Sequence, residues 1–345
     1  MTFFSYRNKQ RAKTFLKALL IAIGAVLLFC IGRFFYVQRY LVYTSNGVYL
    51  DYEQDLHSDR NASTRVTADD FPVTILLPED STASSAQVSN ELRQLSGCYI
   101  TTSMLQDLPA VQEALAEYNG TPTYLFQMKS IYGYFYYDTA IPGSYTANID
   151  ITALKNMISG LSEQDGTYLI ASIPAFSDPN YALAYQKQAL PLASGALWMD
   201  SNGCYWLDPM EEDVQSYLVT IAEELSLMGF DEVVFTGFRM PDSEKIVYTQ
   251  EYTRAEAVIQ AAQAIDESLE EVPIRVCFEA SDPLVAAYSD RVYLSADSGS
   301  TVSSVVEPFQ EVLTDTAAQI VFLTASRDTR FNQYGILRPL IEEDA

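Results

Sequence analysis

Residues 211–236 read EEDVQSYLVTIAEELSLMGFDEVVFT, and this stretch contains the structural unit that recurs along the chain. Its acidic start and the helical spacing of its apolar residues predict a helix over 211–228. Gly229 predicts the end of that helix, because glycine readily adopts the left-handed conformation that terminates helices. The apolar residues at 232–236 predict a short buried strand. A helix that leads directly into a buried strand is typical of α/β proteins.

The same alternation of strand and helix continues through most of the chain beyond residue 71. Two further helices are predicted at 108–118 and 251–268. Apolar runs of strand length lie at 72–78, 98–102, 123–128, 167–173, 232–236, 273–278, 290–294 and 319–323. The pattern indicates a mostly parallel sheet covered by helices, as in a (β/α) barrel or an open doubly wound sheet. No glycine-rich phosphate turn follows a strand, so a nucleotide-binding site has no support.

Charge is distributed unevenly along the 345 residues. The chain has 21 basic and 45 acidic residues, yet residues 1–40 contain seven Lys or Arg and no Asp or Glu. The rest of the chain is therefore strongly acidic and should repel phosphate backbones, which argues against a nucleic acid partner. The same acidity suits a soluble domain outside a membrane.

Cysteine and histidine are too few for several common sites. Three cysteines, Cys98, Cys204 and Cys277, lie outside the apolar N-terminal segment and lack metal-ligand spacing, and we expect no disulfide among them. His57 is the only histidine of the chain, and it lies in a polar stretch. A histidine-based triad and a zinc site are therefore not expected, and no motif predicts a cofactor.

The N-terminal region is predicted to be a membrane anchor. Residues 18–32 read ALLIAIGAVLLFCIG, and the apolar segment from 15 to 37 is long enough to span a bilayer, which takes roughly 20 residues. A cleaved signal peptide is the alternative, but no small-residue cleavage site follows the segment. The positive-inside rule then leaves residues 1–14 in the cytoplasm and the rest of the chain outside.

The remaining segments complete the predicted domain organisation. Residues 41–52 alternate around Asn46-Gly47, the preferred pair for a tight hairpin. The polar, Ser-, Thr- and Asp-rich residues that follow read as a stalk. We therefore divide the chain into a basic arm (1–14), a transmembrane helix (15–37), a hairpin and stalk (38–71) and an α/β domain (72–345).

Function in such folds lies on the loops that follow the carboxyl ends of strands. In the long loop after strand 167–173, residues 195–209 hold both tryptophans of the chain and two aspartates, Asp200 and Asp208. We select as candidate ligand-binding residues Lys129, Trp198, Asp200, Trp206, Asp208 and Arg239. Aromatic faces beside carboxylates suit sugars, because rings stack on C–H faces while carboxylates accept hydroxyl hydrogens.

Structural roles remain open for the same residues. Both tryptophans could simply pack the long loop onto the rim of the domain, and Lys129 and Arg239 could be ion-pair partners. The tyrosines within 132–137 read first as a strand extension with alternating faces. Asp208 and Glu279 are the candidate catalytic residues.

Four motifs in order carry a resemblance to a known family. They are Ile170-Ala-Ser-Ile-Pro-Ala-Phe-Ser-Asp-Pro179, Gly195-Ala-Leu-Trp-Met-Asp200, Trp206-Leu-Asp-Pro209 and Gly229-Phe-Asp-Glu-Val-Val-Phe-Thr-Gly-Phe-Arg-Met-Pro241. With residues 123–134, they resemble a bacterial family of predicted glycoside hydrolases, over about residues 97–325. The resemblance implies a TIM-like (β/α) barrel and a carbohydrate partner.

Closure of such a barrel is not evident from the sequence, because few residues follow strand 319–323. We expect either a short eighth strand near 334–338 or the packing of strand 72–78 at an open edge, since unpaired edges promote association. The barrel is therefore expected to be incomplete or irregular.

The departures from the family pattern bear on activity. Positions where the family carries acids are Gln127, Thr236 and Cys277 here. Glycosidases use two carboxyl groups, and neither Gln nor Thr can shuttle a proton near neutral pH. We therefore expect a membrane-anchored, extracytoplasmic pseudoenzyme that binds carbohydrate, such as a cell-wall glycan, with weak or lost catalysis. The alternatives are an active hydrolase that uses Asp208 with Glu279, and a protein-binding scaffold in the cell envelope.

The predicted topology can be tested with a cysteine tag at each end of the chain and a membrane-impermeant thiol reagent on intact cells. We expect labelling of the C-terminal tag alone, because the basic arm should remain cytoplasmic. The untagged chain measures labelling of the native cysteines. Labelling of the N-terminal tag would contradict this orientation.

Overall fold

The computed structural model describes residues 41–44, 47–50, 92–248, 252–296 and 298–342. The chain divides into two compact units, Met1–Ser85 and Ala86–Ala345. In the first, strands β1 (Leu41–Thr44) and β2 (Gly47–Leu50) pair antiparallel, which confirms the predicted hairpin. No helix within the described ranges is long and apolar enough to cross a membrane. The predicted span 15–37 and the predicted strand 72–78 lie outside the described residues.

The second unit contains a closed barrel of eight parallel strands, as expected for a TIM-like α/β barrel. The barrel strands are β3 (Ser96–Ile100), β4 (Thr123–Gln127), β7 (Tyr168–Pro174), β8 (Glu232–Thr236), β9 (Arg275–Glu279), β10 (Val292–Leu294), β11 (Ile320–Leu323) and β12 (Gly335–Pro339). Between β4 and β7, β5 (Tyr134–Phe135) and β6 (Tyr145–Thr146) form a small separate sheet.

The barrel is closed, and the predicted eighth strand near 334–338 is confirmed as β12, so the barrel is not incomplete. Strand β12 is five residues long, like β3, and pairs with β11 on one side and with β3 on the other. Its sequence, GILRP, has glycine and proline at its ends, and both residues are more typical of loops, which weakened the strand signal.

Strands β3 and β4 approach each other closely: a Cβ on Gly97 of β3 would lie 2.2 Å from the Thr123 carbonyl oxygen.

Seven α-helices lie among the described residues. They are α1 (Leu108–Glu117), α2 (Ile151–Ser162), α3 (Pro179–Ala184), α4 (Glu212–Leu227), α5 (Arg254–Leu269), α6 (Val302–Val306) and α7 (Thr316–Gln319). Helices α1, α4 and α5 confirm the three predicted from apolar spacing. A capping box of Thr253 and Glu256 fixes the start of α5, since each side chain accepts a hydrogen bond from the other's backbone amide.

The interior of the barrel is filled by side chains rather than open. One layer contains a buried residue from each of seven strands together with Leu95, which precedes β3. These residues are Leu95, Leu125, Ile170, Val234, Cys277, Tyr293, Val321 and Leu337. Because side chains alternate along a strand, residues two positions further on face the same way, toward the carboxyl-end mouth.

A charged cluster closes the opposite end of the barrel. Glu232 is fully buried and forms an ion pair with Arg291, which is 2% exposed. The Glu232 carboxylate also accepts hydrogen bonds from the hydroxyls of Tyr168, at 2.8 Å, and Tyr293. Arg291 donates in addition to the Ala318 carbonyl at 3.2 Å. Such paired and hydrogen-bonded burial is how proteins tolerate charges in their interior.

The cysteines are as predicted. Cys98, Cys204 and Cys277 are free and buried, so the described residues contain no disulfide. Burial raises the pKa of the Cys98 thiol to about 12, which makes it a poor nucleophile.

Breaking the buried pair should destabilise the protein strongly. We expect Arg291→Leu to lower the free energy of unfolding by about 3–5 kcal/mol, because the Glu232 charge would remain buried without its partner. Adding Glu232→Gln should recover part of that loss. Urea unfolding followed by circular dichroism measures both.

The matched control is Arg327→Leu, which removes an exposed ion pair with Glu342. It should cost less than about 1 kcal/mol, as exposed pairs do. Equal losses for the two arginine variants would contradict a structural role of the buried cluster.

Candidate functional site

The mouth of the barrel is formed by the inward-facing residues that follow the apolar layer toward the carboxyl ends of the strands. On seven strands, the residue two positions after the layer contributes to it: Gln127, Ser172, Thr236, Glu279, Ser295, Leu323 and Pro339. Five are polar, and Glu279 is the one carboxylate in this set. Three cavities of about 410, 460 and 500 Å³ open around these positions.

The cavity between β4 and β8 has neutral walls. Gln127, Ser172 and Thr236 line it together with Tyr132, and its volume is about 460 Å³. The Gln127 side-chain oxygen accepts a hydrogen bond from the Thr102 amide at 2.9 Å, which fixes the orientation of the carboxamide. Its amide nitrogen remains a donor for a ligand. These side chains can exchange hydrogen bonds with hydroxyl groups.

Lys129 also borders this cavity, but its ammonium group is already paired. The residue is 1% exposed, and its Nζ lies 2.9 Å from the Asp178 carboxylate and 3.0 Å from the Pro174 carbonyl oxygen. Tyr217 donates a further hydrogen bond to Asp178 at 2.6 Å. Asp178 also caps α3 by accepting from the Tyr181 amide. The β4–β8 cavity is therefore close to electrically neutral.

The second cavity lies between β8 and β10 and contains Glu279. It has a volume of about 410 Å³ and is also lined by Arg239, Ser281 and Ser295. The two Glu279 oxygens accept hydrogen bonds from the Gly237 amide and the Ser295 hydroxyl, both at 2.9 Å. These bonds hold a single carboxylate at the rim of the mouth.

Both tryptophans lie in one compact loop. Trp206 donates its Nε1–H to Asp200 at 3.0 Å, and Trp198 packs edge-on against the Trp206 ring. Arg239 covers that ring with its guanidinium 5.1 Å from the centroid. Asp200 also accepts from the Cys204 amide, which closes the turn. The structure therefore brings together four of the six candidate ligand residues: Trp198, Asp200, Trp206 and Arg239. These four side chains mainly contact one another.

Asp208 lies in the loop that contains Trp206, whereas Glu279 lines the cavity between β8 and β10. Asp208 is 7% exposed, one of its oxygens accepts from the Met210 amide at 3.0 Å, and it is not among the residues that line the three cavities. Burial raises the pKa of the Asp208 carboxyl. Among the described residues, the buried hydroxyl of Tyr248 has no hydrogen-bond partner, and burial together with the nearby Asp208 charge raises the pKa of that tyrosine to about 12.

Cys277, which the resemblance matches to an acidic position of the family, does not lie at the mouth. Cys277 is fully buried in the apolar layer, and Glu279 on the same face of β9 reaches the rim instead. Thr236 is the neighbour of Glu279 across the strand pair, because Phe235 pairs with Phe278 one position earlier.

Sequence reasoning missed Asp178 and Tyr217 as the partners of Lys129. An aspartate followed by proline signals the start of a helix, and Asp178 does cap α3. The second role, neutralising a lysine far away in sequence, depends on tertiary contacts that no local pattern contains.

Comparison with known proteins places the chain in a family. The model of a family described as "Putative glycosyl hydrolase domain" matches residues 97–282, which is more than half of the chain. The chain belongs to this family. No curated protein matches the sequence.

Solved structures show that this family member shares its fold with glycoside hydrolase TIM barrels. An inactive mutant of the GH20 exo-β-N-acetylglucosaminidase from Vibrio harveyi aligns with a TM-score of 0.50 and 10% identity. The alignment covers 72% of this chain but only 50% of that enzyme. A hypothetical protein from Ruminiclostridium thermocellum aligns with a TM-score of 0.46 and 21% identity, covering 53% of this chain and 97% of that one. At 10% identity the likeness to the Vibrio harveyi enzyme concerns the fold alone.

A substitution separates a structural from a ligand-binding role of Lys129. We expect Lys129→Met to lower the free energy of unfolding by about 3–5 kcal/mol, because Asp178 would keep a buried charge without a partner. Denaturant unfolding measures the loss.

Lys155→Met on the exposed face of α2 is the matched control and should change stability by less than about 0.5 kcal/mol. If Lys129→Met left stability unchanged, the ammonium would be free for a ligand after all.

Proposed function

We propose that this protein is a carbohydrate-binding member of its glycosyl hydrolase family in which hydrolysis is weak or lost. The observation that supports this proposal is the composition of the mouth. Its inward-facing positions carry amide, hydroxyl and apolar groups with one carboxylate, Glu279. Retaining glycosidases place two carboxyl groups about 5–5.5 Å apart and inverting enzymes about 6.5–9.5 Å apart. The strand neighbour of Glu279 is Thr236, which cannot supply the second carboxyl group.

Binding without hydrolysis fits the chemistry of the remaining groups. Sugars present hydroxyls that both donate and accept hydrogen bonds, and Gln127, Ser172 and Thr236 offer both kinds of partner in the β4–β8 cavity. The charges nearest to that cavity, Lys129 and Asp178, neutralise each other. The proposed ligand is therefore a neutral carbohydrate, with a cell-wall glycan as the natural source.

The proposed location follows from the sequence of the N-terminal region. We infer that residues 15–37 anchor the protein in the membrane and that the barrel faces outward, where a cell-surface glycan would be accessible.

An active hydrolase is the second candidate, and one observation favours it. Burial raises the pKa of Asp208, which is the property of a general acid. Such an enzyme would use Asp208 with Glu279. Asp208 does not line the three mouth cavities, one of which contains Glu279, so this candidate requires both carboxyl groups to reach the same glycosidic bond.

Removal of one hydroxyl from the mouth tests the proposed binding. We expect Thr236→Val to weaken the binding of a neutral oligosaccharide by roughly three- to tenfold, the loss expected for one hydrogen bond of about 0.5–1.5 kcal/mol. Isothermal titration calorimetry of the full chain in detergent measures the affinity.

The matched control is Thr220→Val on the outer surface of α4, which should bind like the unmodified protein. If no neutral oligosaccharide binds the unmodified chain, the proposed function is wrong and a protein-binding role in the envelope gains support.

A further inference from the structure

Four exposed aromatic and apolar side chains lie in the wall of the β4–β8 cavity and in the small β5–β6 sheet that follows it in sequence. Ile131, Tyr132, Tyr134 and Tyr145 are between 41% and 57% exposed. Ile131 and Tyr132 line the β4–β8 cavity as well. Tyr134 and Tyr145 are direct partners in the small β5–β6 sheet, so their side chains lie side by side. We call these four residues the aromatic platform.

The turn that carries the platform is held rigidly. Ser177 donates a hydrogen bond to the Ile131 carbonyl at 3.0 Å, and Asn180 donates to the carbonyls of Tyr132 and Gly133, both at 3.1 Å. Gly133 has a φ of 78°, and a Cβ there would lie 2.1 Å from an Asp178 oxygen. Three consecutive carbonyls are thus hydrogen-bonded while the attached side chains of Ile131 and Tyr132 face solvent.

The side chains of the aromatic platform are exposed and therefore contribute little to the hydrophobic core. Contiguous exposed apolar patches commonly mark binding surfaces. A tyrosine on a fixed backbone offers a large contact area and loses little conformational entropy on binding. Aromatic faces also stack on the C–H faces of sugar rings, and the adjoining cavity is neutral and hydroxyl-bearing.

We propose that the aromatic platform binds successive units of a neutral oligosaccharide chain whose end or bend occupies the β4–β8 cavity. The inference rests on the proposed carbohydrate-binding function and adds that the ligand is an extended chain rather than a single sugar. Tyr132 contacts the unit at the cavity edge, and Tyr134 with Tyr145 supports the following units. Asn180 acts as a positioning residue, since it fixes the turn without facing the ligand.

The length dependence of affinity tests this inference. The probes are soluble hexasaccharides of β-1,4-linked glucose, β-1,4-linked N-acetylglucosamine, α-1,4-linked glucose and β-1,4-linked xylose, each with its disaccharide. We expect at least one hexasaccharide to bind the full chain about tenfold or more tighter than its disaccharide. Tyr132→Ala and Tyr134→Ala should each weaken hexasaccharide binding by roughly three- to tenfold, the scale of one aromatic contact. Disaccharide binding should change far less.

Three further variants show whether the loss of hexasaccharide binding comes from the aromatic rings of the platform. Tyr132→Phe should restore hexasaccharide binding, because it retains the ring, and Asn180→Ala should weaken the hexasaccharide more than the disaccharide. Leu227→Ala is the control: this side chain is 90% exposed at the end of α4, on the opposite side of the barrel from the mouth. It should leave both affinities unchanged.

The possible results separate the platform from the binding function itself. Equal affinities for hexasaccharide and disaccharide, or a ratio unaffected by Tyr132→Ala and Tyr134→Ala, would overturn the platform and leave the proposed function intact. Absence of binding by every probe would overturn both. Self-association that Tyr132→Ala abolishes, without oligosaccharide binding, would instead identify the platform as a contact between copies of this chain.

Discussion

A filled barrel interior is the constraint on which the rest of the structure depends. Eight strands close on one another, and a layer of buried side chains, among them Leu125, Val234 and Tyr293, occupies the space they enclose. The Glu232–Arg291 cluster seals the end opposite the mouth. The three mouth cavities open at the carboxyl ends of the strands, so the chemistry of the mouth is set by the residues directly above the layer and by the loops around them.

The loops take their positions from a second buried pair. Lys129 and Asp178 connect the end of β4 to the start of α3, and the same aspartate limits Gly133 in the platform turn to a residue without a side chain. One ion pair thus orders two loops on the same side of the mouth and removes net charge from the cavity between them. In a protein with a formal net charge of -24, this leaves a locally neutral surface suited to an uncharged ligand.

Local patterns predicted much of the fold, but they could not predict which polar residues would meet. Helices α1, α4 and α5 and most barrel strands were evident, because apolar spacing and end signals are local properties. Strand β12 was underestimated, since its pairing with β3 is a long-range contact. At the site, the sequence indicated the two-tryptophan loop and Glu279. It could not show that Arg239 covers Trp206 or that Cys277 lies below the rim, because both facts depend on strand register and loop packing.

Turnover is the most direct test of the claim that Glu279, the single carboxylate among the inward-facing strand positions of the mouth, cannot support hydrolysis. The measurement is prolonged incubation of the full chain with each oligosaccharide that it binds, followed by mass spectrometry of the products. We expect the oligosaccharide to be recovered intact, because Thr236 gives Glu279 no carboxyl partner. Cleavage that falls a hundredfold or so in Glu279→Gln or Asp208→Asn, the loss typical of a missing general acid or base, would contradict the account.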